Sequence, residues 1–368
     1  MIAWRLLTVL FALLVASCLY FRYFRGFCLR KRYRLVVFLL LLLCCSGLGL
    51  GSFAFYDILG PRIFPYWRHV WFFLFALMLS WFCLTAVVEL VFAPLRLFRS
   101  ARRVLSSVAY KCVVFVLALA LTGYGQYQGL KMPQIRKITL TSPLVEKPVS
   151  IAVASDLHVT RVTGAKRVGR IVKRINRLHA DLVVLPGDIF DDRIDLVRPA
   201  AAPLASLEAP LGIYFSSGNH EYYSGIYDAN GLAQELGMIL LDNRGVAVRG
   251  DLYLGAVPDL RAGPRFGFKA DPKAALAGAG ERQFRVLLSH EPFDGGADLV
   301  ISGHTHGGQM LPFQIFAKFA NHGFLAGLYD LEDGRHIYVT RGAGTWGPAI
   351  RQLAPSDVTL ITILPEGR

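Results

Sequence analysis

Four long apolar stretches fall within the first 127 of the 368 residues, and they restrict what this part of the chain can fold into. A helix needs about 20 apolar residues to cross the hydrocarbon core of a bilayer. Trp and Tyr residues cluster near the ends of the second and third stretches, which is typical of membrane–water interfaces. We therefore predict an all-α transmembrane region of about four helices over residues 1–127, with spans near Leu6–Tyr20, Leu35–Phe55, Val70–Phe92 and Cys112–Tyr127.

The formal net charge of +14 is concentrated in this apolar region. The first 127 residues hold 14 Lys and Arg but only two acidic residues, Asp57 and Glu89, whereas the rest of the chain holds 26 basic and 24 acidic residues. Such a distribution is typical of charges that flank membrane spans. We expect no nucleic-acid partner for the nearly neutral remainder.

The basic residues between the stretches predict the orientation in the membrane. Two loops are strongly basic, one with Arg22, Arg25, Arg30, Lys31, Arg32 and Arg34 and the other with Arg96, Arg99, Arg102, Arg103 and Lys111. Because positive loops stay in the cytoplasm, we expect a multi-pass protein of the cell (inner) membrane whose C-terminal domain lies on the extracytoplasmic side. An alternative makes the first stretch a signal peptide cleaved before Cys18, but cleavage there leaves the basic segment 22–34 outside.

The remaining residues read as a polar linker, 128–148, followed by a domain over 149–368. Short apolar runs with strand-like length recur in this domain, and most of them end in a polar cluster. A final pair of strands is predicted at His336–Thr340 and Val358–Leu364. The earlier runs are Val149–Ser155, Asp181–Pro186, Gly212–Ser217, Leu252–Val257, Phe284–Ser289 and Leu299–Ser302.

Side chains that can bind metals follow five of these runs. Each cluster taken alone is compatible with an ordinary surface turn, but together they supply ligands for two cations that share one carboxylate. Two cations about 3.5–4 Å apart are suited to displacement at phosphorus, and mixed imidazole and carboxylate ligation favours Mn, Fe, Zn or Co. The candidate ligands are Asp156, His158, Asp188, Asn219, His290, His304 and His306.

The motifs that contain these ligands resemble, in order and spacing, the full motif set of the calcineurin-like metallophosphoesterases. They are Asp156-x-His158, Gly187-Asp188, Gly218-Asn219-His220-Glu221, His290 and Gly303-His304-x-His306. The extended form Gly-His-Thr-His-Gly-Gly-Gln at 303–309 is similar to a membrane-attached or exported subgroup, which includes phosphodiesterases and UDP-2,3-diacylglucosamine pyrophosphatases. The resemblance covers residues 149–368 and implies an α/β catalytic domain, a four-layer αββα sandwich.

The resemblance also implies a role for each motif residue. One metal ion takes Asp156, His158 and His306, the second takes Asn219, His290 and His304, and Asp188 bridges them. A hydroxide shared by the metals attacks phosphorus, His220 protonates the leaving oxygen or binds phosphoryl oxygens, and Asp191 orients His220. In the phosphoprotein phosphatases an Arg follows the orienting Asp, whereas Asp192 stands here, so we do not expect protein-phosphatase specificity.

We therefore expect a membrane-anchored, metal-dependent phosphohydrolase that acts on a phosphodiester, pyrophosphate or phosphomonoester bond. Lipid-linked phosphates are among the candidate substrates. Two alternatives remain open. One is a non-enzymatic membrane sensor or scaffold that retains a structural metal site, which lost ligands would favour. The other is a transporter with an appended domain, although Glu89 is the single acid in the predicted spans and a transport pathway needs more polar groups.

Overall fold

The computed structural model describes residues 2–25, 31–50, 52 and 55–367. Arg30 of the first basic loop and residues 51, 53 and 54 of the second apolar stretch lie outside this description. The chain divides into two compact units. One comprises Met1–Leu130 with the segments Met310–Pro312 and Gly347–Leu353, and the other comprises Lys131–Gln309, Phe313–Trp346 and Ala354–Arg368.

The first unit is helical, with α1 (Ile2–Leu19), α2 (Lys31–Cys45), α3 (Gly47–Leu50), α4 (Tyr56–Val91), α5 (Arg99–Ser106) and α6 (Val108–Leu130). By length and composition, α4 and α6 are the two described helices that can cross a membrane. They correspond to the third and fourth predicted spans. The second stretch folds differently from the prediction, because α2 has 15 residues and reaches only about 22 Å at 1.5 Å per residue. The described residues thus contain two candidate spans rather than about four.

The second unit contains two six-stranded mixed sheets. The first has the strand order β1-β12-β2-β3-β4-β5 and the second has β10-β11-β9-β8-β7-β6. The strands are β1 (Gln134–Ser142), β2 (Val149–Val153), β3 (Leu182–Pro186), β4 (Ile213–Ser216), β5 (Ile239–Leu240), β6 (Arg244–Arg249), β7 (Leu252–Ala256), β8 (Phe284–Leu288), β9 (Leu299–Ser302), β10 (Gly327–Asp330), β11 (His336–Val339) and β12 (Asp357–Pro365).

Alternate residues of the central strands enter different apolar layers. In β3, Leu182 and Val184 lie in the core between the two sheets, whereas Val183 and Leu185 pack on the other face of the first sheet. Helices cover that face, and Ala275 covers the outer face of the second sheet. The helices of this unit are α7 (Ala165–Asn176), α8 (Ile194–Ala201), α9 (Asn219–Ser224), α10 (Ile226–Glu235), α11 (Pro272–Leu276) and α12 (Phe313–Ala320). Burial on both faces explains why the strand runs are continuously apolar instead of alternating.

Two sequence-based assignments differ from the structure. Residues 128–148, expected to be a linker, contain β1, which pairs in parallel with β12 along its whole length. The predicted closing pair is also not a pair, because β11 lies beside β9 and β10 in the second sheet while β12 lies between β1 and β2 in the first. Both differences arise from pairings between segments far apart in sequence.

The incorporation of β1 into the fold can be tested at Leu140, which is buried in the core between the sheets. We expect Leu140→Ala to lower the free energy of unfolding by roughly 2–5 kcal/mol, as for other buried leucines. Denaturant unfolding of the detergent-solubilised chain measures this loss. The neighbouring exposed residue provides the matched control, Thr139→Ala, and equal stability of the two variants would show that this segment is a linker after all.

Candidate functional site

The candidate site lies where the strands of both sheets end. Strands β2, β3 and β4 run parallel to one another in the first sheet, and β8 and β9 run parallel to each other in the second. Their carboxyl ends therefore point the same way within each sheet. The segments that directly follow these five strands carry all seven predicted metal ligands, with Asn219 at the start of α9.

One group of ligand atoms comes from the loops after β2 and β9. The Nε2 atoms of His158 and His306 lie 2.9 Å apart, and His306 Nε2 lies 3.3 Å from Asp156 Oδ1. All three side chains are buried. The structure thus brings together Asp156, His158 and His306, the three residues expected to hold one metal.

A second group comes from the loops after β3, β4, β8 and β9. His304 Nδ1 lies 3.1 Å from Asn219 Oδ1 and 3.3 Å from His290 Nε2. His290 Nε2 lies 3.1 Å from Asp188 Oδ2. The same Asp188 oxygen is 3.7 Å from His158 Nε2 of the first group. Asp188 therefore lies between the two groups.

The spacing of these atoms fits bound cations. Ligands about 2.1 Å from a metal ion stand roughly 3–3.5 Å from one another, and the nitrogen and oxygen atoms here are separated by similar distances. The second nitrogen of His290 faces the carbonyl oxygen of Pro186 at 2.8 Å. Such a bond fixes the imidazole and leaves its other nitrogen free for a metal. The donor set suits the Mn, Fe, Zn or Co expected from the sequence.

The backbone at most of the predicted ligands has a positive φ angle, a conformation that residues other than glycine rarely adopt. Five of the seven predicted ligands have φ between 45° and 66°, namely Asp156, His158, Asp188, His304 and His306. Strain of this kind is typical of functional sites, where the surrounding fold enforces it. Gly303 is required here for a different reason, because a Cβ atom at this position would overlap the side chains of Ser155 and Asp156.

Asp191 connects the first ligand group to His220. Its Oδ2 atom lies 3.1 Å from His158 Nδ1, and its Oδ1 atom is hydrogen-bonded to His220 Nδ1. The Nε2 atom of His220 lies 4.0 Å from Asp188 Oδ2 and so faces the ligands. Burial alone would lower the pKa of His220, but Asp188 and Asp191 raise it to about 9. The imidazole of His220 therefore lies beside the predicted metal ligands, which is the position expected of a proton donor.

Glu221 has an important structural role that was not predicted from the sequence. Its buried carboxylate accepts four backbone N–H groups: those of Asp188 at 2.9 Å, Ile189 at 2.7 Å, Phe190 at 2.9 Å and Gly218 at 2.7 Å. Burial and then repulsion from Asp188 raise the pKa of Glu221 to about 7, although the backbone donors favour the charged form. The sequence contains a signal for this role, because an acidic residue in the first turn of a helix often accepts a hydrogen bond from the backbone N–H just before the helix.

Comparisons with known proteins agree with this geometry. The family model described as calcineurin-like phosphoesterase matches residues 149–308. An uncharacterized metallophosphoesterase of Helicobacter pylori is 35% identical over 260 residues, which cover 68% of this chain and 70% of that protein. A Danio rerio protein named transmembrane protein with metallophosphoesterase domain is 31% identical over 291 residues, covering 72% of this chain and 65% of that protein.

The matched region contains the loops after β2, β3, β4, β8 and β9, so the similarity includes every strand end that carries a predicted ligand. The identity and the coverage are high enough to assign the family. This chain belongs to the calcineurin-like phosphoesterase family, and it is a metal-dependent phosphoesterase.

Proposed function

We propose that this protein is a membrane-anchored phosphohydrolase that holds two divalent metal ions and cleaves a phosphodiester, pyrophosphate or phosphomonoester bond. The observation that carries the proposal is the position of Asp188 between two groups of predicted ligand atoms. One carboxylate shared by two groups is the arrangement expected for a two-metal site.

The ligand groups suggest which residues would hold each ion. Asp156, His158 and His306 would hold the first, Asn219, His290 and His304 would hold the second, and Asp188 would contact both. When bound, such ions polarise a phosphoryl oxygen and lower the pKa of a water molecule. Glu221 would act as a positioning residue, because its carboxylate holds the backbone at Asp188.

His220 is the residue we propose as the catalytic acid. Asp191 accepts a hydrogen bond from its Nδ1 atom, which fixes the ring and leaves Nε2 to donate a proton. A general acid must reach the leaving oxygen directly or through one water molecule, and His220 Nε2 lies on the side that faces Asp188. Asp191 therefore acts through His220 as its positioning residue.

Three observations support a membrane location and a lipid-linked substrate. The part of the chain that the structure describes contains two helices long and apolar enough to span a bilayer, and the Danio rerio relative is named a transmembrane protein. In addition, α12 exposes Ile315, Phe316 and Phe319. The end of α12 is connected to the site, because Arg261 donates to the carbonyl oxygen of Ala320 and pairs with Glu291, which follows His290.

The proposal is tested by assaying the purified full chain against bis(p-nitrophenyl) phosphate, p-nitrophenyl phosphate and lipid pyrophosphates. We expect turnover with Mn²⁺, loss of turnover after dialysis against a chelator, and recovery when Mn²⁺ is added back. No hydrolysis of any of these compounds with Mn, Fe, Zn or Co would refute the proposed activity.

Replacement of the shared carboxylate tests whether Asp188 contacts both metal ions. We expect Asp188→Asn to reduce kcat/KM by roughly a hundredfold or more, since even groups outside the ligand set change activity by about 10–100-fold. Metal content by mass spectrometry should fall in the same variant. Asp333 is exposed in the turn between β10 and β11 and belongs to neither ligand group, and Asp333→Asn serves as the control with full activity. Retention of both metals and of activity in Asp188→Asn would contradict the bridging role.

Glu221 provides a second test of how the site is held. In Glu221→Gln an amide nitrogen replaces one oxygen and faces N–H donors, so we expect a distorted turn at Asp188 and a loss of about 10–100-fold in metal affinity. Metal titration measures the affinity, and the exposed control is Glu281→Gln. An unchanged metal affinity in Glu221→Gln would show that the carboxylate only stabilises the fold.

The orientation in the membrane follows from the basic loops. We expect a tag at the C-terminus to be labelled by an impermeant reagent in intact cells. A cytoplasmic protein labelled in parallel reports on membrane integrity. Labelling that requires permeabilisation would place the catalytic unit in the cytoplasm and overturn the proposed topology.

A further inference from the structure

Tyr223 lies on the same face of α9 as two residues of the candidate site. Residues three and four apart on a helix are neighbours, so Tyr223 lies beside His220 and Asn219. The centroid of its ring is 5.4 Å from that of His220, with an angle of 67° between the planes. Even so, Tyr223 is 63% exposed. The phenol ring of Tyr223 therefore contacts the imidazole of His220, the proposed acid, while much of the tyrosine faces solvent.

The helix that carries Tyr223 is firmly anchored. The adjacent residue, Tyr222, is buried, and its hydroxyl group accepts a hydrogen bond of 3.3 Å from Ser217. The rings of Phe266 and Phe268 pack on Tyr222 with centroid distances of 5.4 and 5.7 Å. An exposed ring on an anchored helix can bind a ligand with little loss of conformational freedom.

A single exposed aromatic residue on a protein surface needs no explanation. Tyr223 differs from such a residue because it contacts His220, which faces the shared carboxylate. If His220 protonates the leaving oxygen, a group on that oxygen lies beside this ring. Phe266 extends the aromatic surface on the side of Tyr222, and it is about half exposed.

We propose that Tyr223 forms a substrate subsite that binds a flat, apolar ring on the leaving oxygen. The inference rests on the proposed function, because it assumes that phosphorus is bound at the two ligand groups. Two aromatic rings attract each other in offset or edge-to-face arrangements, and an exposed phenol offers both. The subsite therefore selects aryl esters of phosphate over esters of small alkyl alcohols.

Phosphonates test the subsite without cleavage. The inhibition constants of phenylphosphonate and methylphosphonate are measured with the Mn²⁺-loaded full chain, using bis(p-nitrophenyl) phosphate as the reporter substrate. We expect wild-type protein to prefer phenylphosphonate by about three- to tenfold, as estimated from the strength of aromatic pairs. Tyr223→Ala should remove this preference, and Tyr223→Phe should retain it.

Tyr227 provides the matched control, because it is an exposed tyrosine on α10 whose ring packs against Phe268. Tyr227→Ala should keep the wild-type preference. Octylphosphonate is the third ligand: if Tyr223→Ala weakens the binding of octylphosphonate more than that of phenylphosphonate, the surface binds an alkyl chain and the inference is wrong.

The two proposals fail in different ways. Turnover by the wild-type chain with an aryl preference that persists in Tyr223→Ala would overturn the subsite alone. The same conclusion would follow if wild-type protein bound both phosphonates equally. Absence of turnover with every metal would overturn the proposed function, and the subsite with it.

Discussion

The site depends on one carboxylate that makes no proposed contact with a metal. Glu221 accepts N–H groups from the turn after β3 and from the turn after β4. A buried acceptor of this kind is effective because each N–H would otherwise lose its hydrogen bond to water, which costs about 1–3 kcal/mol. Asp188 can therefore occupy its unfavourable backbone conformation because its own N–H and those of the next two residues are held in place.

Each of the two sheets supplies some of the side chains of the proposed metal centre. The first sheet supplies Asp156, Asp188 and Asn219 from adjacent parallel strands, and the second supplies His290 and His304 from another parallel pair. Carboxylates thus come mainly from one sheet and imidazoles from the other. The apolar core between the sheets sets the distance between the side chains supplied by one sheet and those supplied by the other, so its packing acts indirectly on the geometry of both groups.

The sequence was sufficient to predict which seven side chains meet, because each follows a run of buried strand residues, and the structure brings all seven together. That they bind metal ions stays a prediction. It was insufficient for β1, whose exposed residues Gln134, Lys137 and Thr139 resemble those of a polar connector. That strand is recognised only by its pairing with β12, more than 200 residues later. The membrane spans were also not fully predictable from the sequence. The apolar composition of Leu35–Phe55 did not reveal that the helix ends at Cys45.

The pairing of β1 with β12 determines at which residue a fragment that contains the phosphoesterase unit, without the N-terminal helices, should begin. A fragment that starts at Val149, where the match to the family model begins, would lack β1 and expose the hydrogen-bonding groups of β12. Uncovered strands of this kind recruit other chains and aggregate. A soluble fragment for crystallisation or screening should therefore begin before Gln134, so that the last strand of the protein keeps its natural neighbour.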